Sequence, residues 1–133
     1  MSDITRIKCP DEERLDFLFN AVGRDFLRYE QLTFGYMDAA CEEYYGGMWD
    51  FYSLSNGGFY MALVHDTPLK LQWAENAFVG TMSSDAAGIA VSLFVQNRFA
   101  CEADSERYGK YFYSLREYAI DHDEAPSIFG FID

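Results

Sequence analysis

The chain has 133 residues, half of them hydrophobic, with 12 Phe, 10 Tyr and 2 Trp, enough for one packed domain and too apolar for a disordered tail. Its formal net charge is −12 and it has no basic run, so it lacks the cations that would displace counterions from phosphates, and nucleic-acid binding is not expected. No apolar run approaches the roughly 20 residues of a membrane span, so no membrane partner is expected either.

The N-terminal stretch, MSDITRIKCPDEERLDF, lacks a basic start followed by an apolar run and reads as no secretory signal. Pro10 followed by Asp11, Glu12 and Glu13 marks a helix start, with acids in the first turn. Leu15, Leu18, Val22, Phe26 and Tyr29 then recur at helical spacing, with Gly23 placed to divide the stretch into two helices. Beyond Phe34-Gly35, a short helical piece is predicted to end at Gly46-Gly47.

Four strands follow: Trp49 to Leu54, Gly58 to Val64, Leu69 to Trp73 and Phe78 to Met82. Their connections are short, which predicts an antiparallel meander of three to four strands. Asn56-Gly57 suits a two-residue type I′ turn, pairing Ser55 with Gly58, Leu54 with Phe59 and Tyr52 with Met61. One face then carries Tyr52, Leu54, Phe59, Met61 and Leu63. The other carries Trp49, Phe51, Ser53, Tyr60, Ala62 and Val64, and a slip of one residue would swap the faces but leave both aromatic. Aromatics on both faces mean either that both are covered or that the Trp49/Tyr60 face awaits a partner.

Ser83 or Ser84 can cap the next helix, with Asp85 in its first turn. From Ala86 to Val95 the sequence is apolar nearly all round, so this helix is expected to be central and buried, with Gly88 allowing close approach of another element. A last helix from about Ser105 to His122 has Tyr108, Phe112, Leu115 and Ala119 as its stripe, and the apolar tail should dock. The expected fold is therefore α+β: one domain over residues 1–133, a small meander packed with N- and C-terminal helices around one buried helix.

Candidate chemistry is sparse. There is no P-loop, GxGxxG, HExxH or GxSxG. Cys9, Cys41 and Cys101 are odd in number and lack a CxxC pattern, which fits free thiols in a reducing cytoplasm, with Cys101 in the core. Cys41 is followed by two acids that raise a thiol's pKa. The run Asp121-His122-Asp123-Glu124 could ligate a metal, but reads first as a solvated helix end with His122 favourable to the helix dipole. His65-Asp66 reads as turn polarity. Asp50, mid-hairpin among aromatics, admits a sugar-binding or hydrolase alternative. No catalytic, cofactor or metal residue is assigned.

Charge is uneven: from Glu30 to Glu106 eleven acids face only Lys70 and Arg98, a net of −9. Such a body serves solubility, a basic partner, or mimicry of nucleic acid. A compact domain of this length is roughly 36 Å across, and B-DNA of that length presents about 10 phosphates on one side. A net charge of −12 places about six on an average side, so mimicry is underpowered unless the acids gather.

The segments RLDFL (Arg14 to Leu18), YGGMWDFYSLSNGGFYMA (Tyr45 to Ala62), SSDAAGI (Ser83 to Ile89) and LREYAIDHDEAPSIFGFID (Leu115 to Asp133) resemble, in order and spacing, the ArdB/KlcA family of antirestriction proteins. Phe19 and Asp123 depart from its pattern, standing where proline is frequent. The resemblance implies a non-enzymatic inhibitor, carried by a plasmid, prophage or other mobile element, that protects incoming DNA from host type I restriction–modification enzymes. It gives no catalytic residues to carry over and points away from simple DNA mimicry. Partner contacts are expected among Asp38, Glu42 and Glu43, the Trp49/Tyr60 face, and the terminal Ile132-Asp133. A generic interaction module of a mobile element is the remaining alternative.

Overall fold

The structure, a computed structural model, describes residues 3–133. In chain order the strands are β1 (Arg6–Lys8), β2 (Trp49–Leu54), β3 (Phe59–Leu63), β4 (Leu69–Trp73) and β5 (Phe78–Met82). The helices are α1 (Arg14–Val22), α2 (Phe26–Ala40), α3 (Ser84–Glu102), α4 (Ser105–Ile120) and α5 (Ala125–Ile132). This is the expected α+β architecture. Gly23, at a φ of 61°, takes the left-handed backbone that ends α1.

The expected single meander is instead two sheets: β1-β2-β3 and a separate β4-β5 hairpin. What divides them is α3. Its N-cap is Ser83, whose hydroxyl accepts from Ala86 N–H at 3.1 Å, and it is buried on all sides from Ala86 to Leu93. Rather than lying only on a sheet face, it occupies the outer edge of β3. A Cβ on Gly88 would lie 2.4 Å from the Met61 carbonyl oxygen, so only glycine permits this approach. Further along α3, Ser92 Oγ accepts from Met61 N–H at 3.2 Å, and Gln96 Nε2 donates to the Phe59 carbonyl at 3.0 Å. Two of the edge groups that β4 would have paired, Met61 N–H and the Phe59 carbonyl, are thus satisfied by helix side chains. The other side of β2 is closed by β1, which was not foreseen. It is three exposed residues, too short for a visible alternation, and Arg6 and Lys8 give it the charged edge that discourages further pairing.

The hairpin register also differs from expectation. Phe51 pairs with Met61, Tyr52 with Tyr60 and Ser53 with Phe59. The loop has three residues: Leu54 N–H donates to the Gly58 carbonyl at 2.8 Å, and among them only Gly57 has a positive φ, 91°. Asn56 is held out of the type I′ geometry by its side chain, which accepts from Gly58 N–H at 3.1 Å and donates to the Ser114 carbonyl of α4 at 2.8 Å. The one-residue slip exchanges the β3 side chains between faces. Trp49, Phe51, Phe59 and Met61 therefore share one face, and Tyr52, Tyr60 and Ala62 the other.

Both faces are covered. On the first, Phe17 of α1 stacks on Phe51 at 5.1 Å between ring centroids, and Tyr29 and Phe34 of α2 meet Phe59 and Trp49 at 5.5 and 5.6 Å. On the second, Tyr52 stacks on Tyr60 at 5.0 Å, with Tyr118 of α4 at 6.0 Å. The β4-β5 hairpin closes over α3 and α5: Phe131 of the C-terminal helix meets Phe94, Phe78 and Trp73 at 4.9, 5.7 and 5.8 Å. Three local expectations are corrected here. α2 runs unbroken through Gly35 to Ala40, since a surface glycine costs a helix little that packing cannot offset; the apolar tail is itself helical; and Cys101 is exposed, while Cys9 and Cys41 are buried.

Candidate functional site

The residues expected to meet a partner fall into three places. Asp38 is exposed in the last turn of α2, and exposed Glu42 and Glu43 follow just beyond it. Glu43 caps the start of β4, accepting from Lys70 N–H at 2.9 Å. Trp49 and Tyr60 form no open face: they lie on opposite sides of the sheet, 4% and 0% exposed, because the shifted register separates them. Asp133 is exposed at the chain end, its N–H donating to the Phe129 carbonyl at 3.0 Å, with Ile132 half-buried beside it.

Tyr60 is instead part of a polar network that sequence alone did not bring together. Its hydroxyl donates to Asp85 Oδ1 at 2.7 Å, and Arg6 Nη1 reaches both that hydroxyl at 2.7 Å and Asp85 Oδ1 at 2.5 Å. His122 Nε2 meets Asp85 Oδ2 at 2.9 Å. His122 Nδ1 accepts from Glu124 N–H at 2.9 Å, which makes Nε2 the donor of the neutral ring. Glu124 turns back onto the α3 N-cap, accepting from Ser83 N–H at 2.8 Å and from its hydroxyl. Four separate segments are thus clamped: β1, β3, the α3 N-terminus and the α4-α5 turn.

The charges follow from these contacts. Burial pushes the Asp85 carboxyl up, but donation by His122 and Tyr60 and the charge of Arg6 outweigh it and hold the carboxyl below its ordinary value. Donation to Asp85 raises His122 against the opposing effect of burial, and the charges of Asp85, Glu124 and Asp123 add to that rise. Burial, then the Asp85 charge, pushes the Tyr60 hydroxyl far up, so it stays protonated. The expectation of His122 as a solvated helix end is therefore corrected: it is a structural partner of Asp85, drawn in because α5 folds back.

A cavity of about 310 Å³ opens beside this network, with Asp121 and Asp123 at its mouth. Both oxygens of Asp85 and both ring nitrogens of His122 are already engaged, so the cluster orders the fold and has no free base or nucleophile to offer. Among the described residues no group of His, Cys, Asp and Glu is placed to hold a metal. Asp50 is gripped by Arg14 at 3.0 Å and Lys8 at 3.5 Å, which accounts for an acid in this hairpin without a sugar. His65 is turn polarity, its Nδ1 facing the Thr67 carbonyl at 2.7 Å. Burial, with the nearby charges of Glu43 and Glu42, raises the Cys41 thiol and leaves it unreactive.

Comparison with known proteins bears on the whole chain. The family described as antirestriction protein matches residues 42–133. An Escherichia coli antirestriction protein KlcA is 40% identical over 139 residues, covering 99% of this chain and 95% of its own. The uncharacterised Escherichia coli K12 protein YafX is 40% identical over 136 residues, covering 98% and 89%. A solved structure superposes with a TM-score of 0.92 at 37% identity, covering 99% of this chain and 96% of the other. It comes from work on KlcA and ArdB that describes a novel fold and antirestriction activity against type I DNA restriction systems in vivo but not in vitro. With the family matched from β2 through α5, and relatives aligned end to end, this chain belongs to the antirestriction protein family.

Proposed function

We propose that this protein inhibits host type I restriction–modification enzymes inside the cell, without catalysis, without binding DNA, and by a route other than simple DNA mimicry. The observation that carries this is the end-to-end likeness to a structure whose protein acts in vivo but not in vitro. A protein that works in cells but not on the isolated system needs something the isolated reaction lacks. Carried to this chain, that favours indirect action, or a site other than the enzyme's DNA channel.

The charge distribution supports the same view. Of the eleven acids between Glu30 and Glu106, five (Asp50, Asp85, Glu102, Asp104 and Glu106) pair with a basic side chain, which thins the field a DNA mimic would need. Asp38, Glu42 and Glu43 remain candidate contacts. They stand at the negative end of α2, where acids cost stability; Glu43 is offset by its bond to Lys70 N–H, and for Asp38 and Glu42 fold stability does not explain the placement. Asp133 stays a candidate by its exposure alone.

The test is a plating assay. Unmodified phage are plated on cells carrying a type I system, with and without this protein, while methylation is followed in the same cells. Restored plating with methylation intact is expected. Restored plating with methylation lost would revive mimicry, and no change across several type I systems would overturn the proposal. Neutralising Asp38, Glu42 and Glu43 together should weaken protection if they touch the partner; full protection by that variant would remove them.

A further inference from the structure

We infer that the groove between α1, α2 and the strand entry at Met48 is a docking site for a cationic amphipathic helix of a partner protein. The groove has a volume of about 370 Å³. Its floor is core: Leu18, Trp49 and Phe51 are each under 8% exposed. Its rim is apolar and bare. Leu15 of α1 is 95% exposed, Leu27 of α2 58% and Met48 61%. Three separate segments each bring one exposed large apolar side chain to one depression, which scattered surface hydrophobics would not do.

The occupant's chemistry follows from shape and charge. The floor is a sheet face between two helices, with no strand edge to extend, so an extended peptide gains no backbone pairing there. A helix laying apolar anchors at i, i+3 or i+4, and i+7 into the depression fits. Two charged side chains line it. Arg14 is already spent on Asp50 and the Trp49 carbonyl. Glu30 lines the groove too, and no cation pairs with it among the described residues. Exposed Glu12, Glu13 and Asp16 stand on and before the same helix as Leu15. The free charge around the groove is therefore negative, and lysines or arginines flanking the anchors complement it. A second copy of this chain, with the same −12 charge, would bring acid against acid and is disfavoured.

The inference holds whether or not type I restriction is the target, and its test is separate from the plating assay. A fluorescent Leu/Lys peptide of about 18 residues, long enough to hold a helix, is titrated into the full chain and followed by anisotropy. A peptide of the same composition, scrambled to lose its apolar face, serves as control. The patterned peptide should bind at least tenfold more tightly than the scrambled one. The double variant Leu15→Gln, Met48→Gln should lose at least tenfold in affinity while keeping the wild-type circular dichroism spectrum; both sites are surface positions, so it is expected to fold. Equal binding of both peptides would reduce the effect to bulk charge and overturn the inference, as would undiminished binding by the variant. Sedimentation showing a dimer that the variant dissolves would overturn it in favour of self-association.

Discussion

Replacing Gly88 with alanine separates two opposed effects. Alanine is the better helix former, by about 1 kcal/mol in a helix interior. Here, though, the added Cβ would stand 2.4 Å from the Met61 carbonyl oxygen and 2.7 Å from the Ala62 Cα. These are backbone atoms of β3 and cannot rotate away, so helix and strand must part by about 1 Å to reach ordinary contact. That retreat would stretch the Ser92–Met61 bond, already 3.2 Å, and the Gln96–Phe59 bond at 3.0 Å beyond hydrogen-bonding range. Each buried group left unpaired costs about 1–3 kcal/mol. Against the propensity gain, the net loss should be about 1–5 kcal/mol, a large part of the roughly 5–15 kcal/mol that holds such domains folded. In a thermal melt followed by circular dichroism this is a fall of about 4–20 °C, at about 4 °C per kcal/mol for a chain of this size. Gly35 supplies the control: it lies inside α2 with nothing within 4 Å of a built Cβ, so Gly35→Ala should stabilise by about 0.5–1 kcal/mol. A Gly88→Ala variant that melts as high as wild type would refute the close approach of α3 to β3.

Three further outcomes are expected. Gln96→Leu should lower the urea midpoint by about 1–3 kcal/mol equivalent, because it strips a partner from the buried Phe59 carbonyl and Tyr29 hydroxyl. Phe131→Ala should cost about 3–5 kcal/mol by emptying the aromatic site under α5, read by the same titration. The clamp predicts a pH profile with two limbs. The lowered carboxyl of Asp85 contributes stability that is present above its unfolded value of 3.8 and lost as pH falls through the lower folded one. The raised His122 contributes stability that is full below 6.5 and lost as pH rises through its folded value. Urea midpoints against pH should show His122→Gln flattening the upper limb and weakening the lower one, since Asp85 loses the His122 charge; an unchanged upper limb would refute the His122 contribution.

Much of the fold was legible because local signals and burial agreed. Ser83 with Asp85 announces the start of α3, the apolar wrap from Ala86 to Val95 announces its burial, and β2, β4 and β5 begin and end where their alternation or turn residues place them. What was not legible depended on partners distant in sequence. Asn56-Gly57 taken alone prescribes a two-residue turn; the third loop residue comes from Asn56 reaching Ser114, 58 positions away. The clamp joins Arg6, Tyr60, Asp85 and His122, of which only Asp85 and His122 carried any local signal, and each of those fitted a helix end equally well. The groove was missed because Leu15 reads as one more member of the α1 stripe. It does lie on the side of Leu18 and Val22, but in the first turn of α1, where at 95% exposure no neighbouring element covers it.

One sign within the sequence would have corrected the meander. In a helix apolar on every side, Ser92 and Gln96 need partners, because a buried hydroxyl or amide without one is costly. The helix's own backbone can satisfy a serine but cannot absorb a glutamine amide. Another helix could offer only side chains, since its carbonyls are taken up by its own turns. An open strand edge offers bare N–H and C=O groups. A small residue, then polar side chains four and eight positions later on one stripe, as in Gly88, Ser92 and Gln96, therefore marks a helix lying along the edge of a sheet. Here that stripe ends β3 at a helix instead of at β4, and the freed β4-β5 hairpin is left to cover α5. The same physics makes Gly88, Ser92 and Gln96 one unit, so their substitutions should not add: with Gly88→Ala already parting helix from strand, Gln96→Leu should cost much less than it does alone.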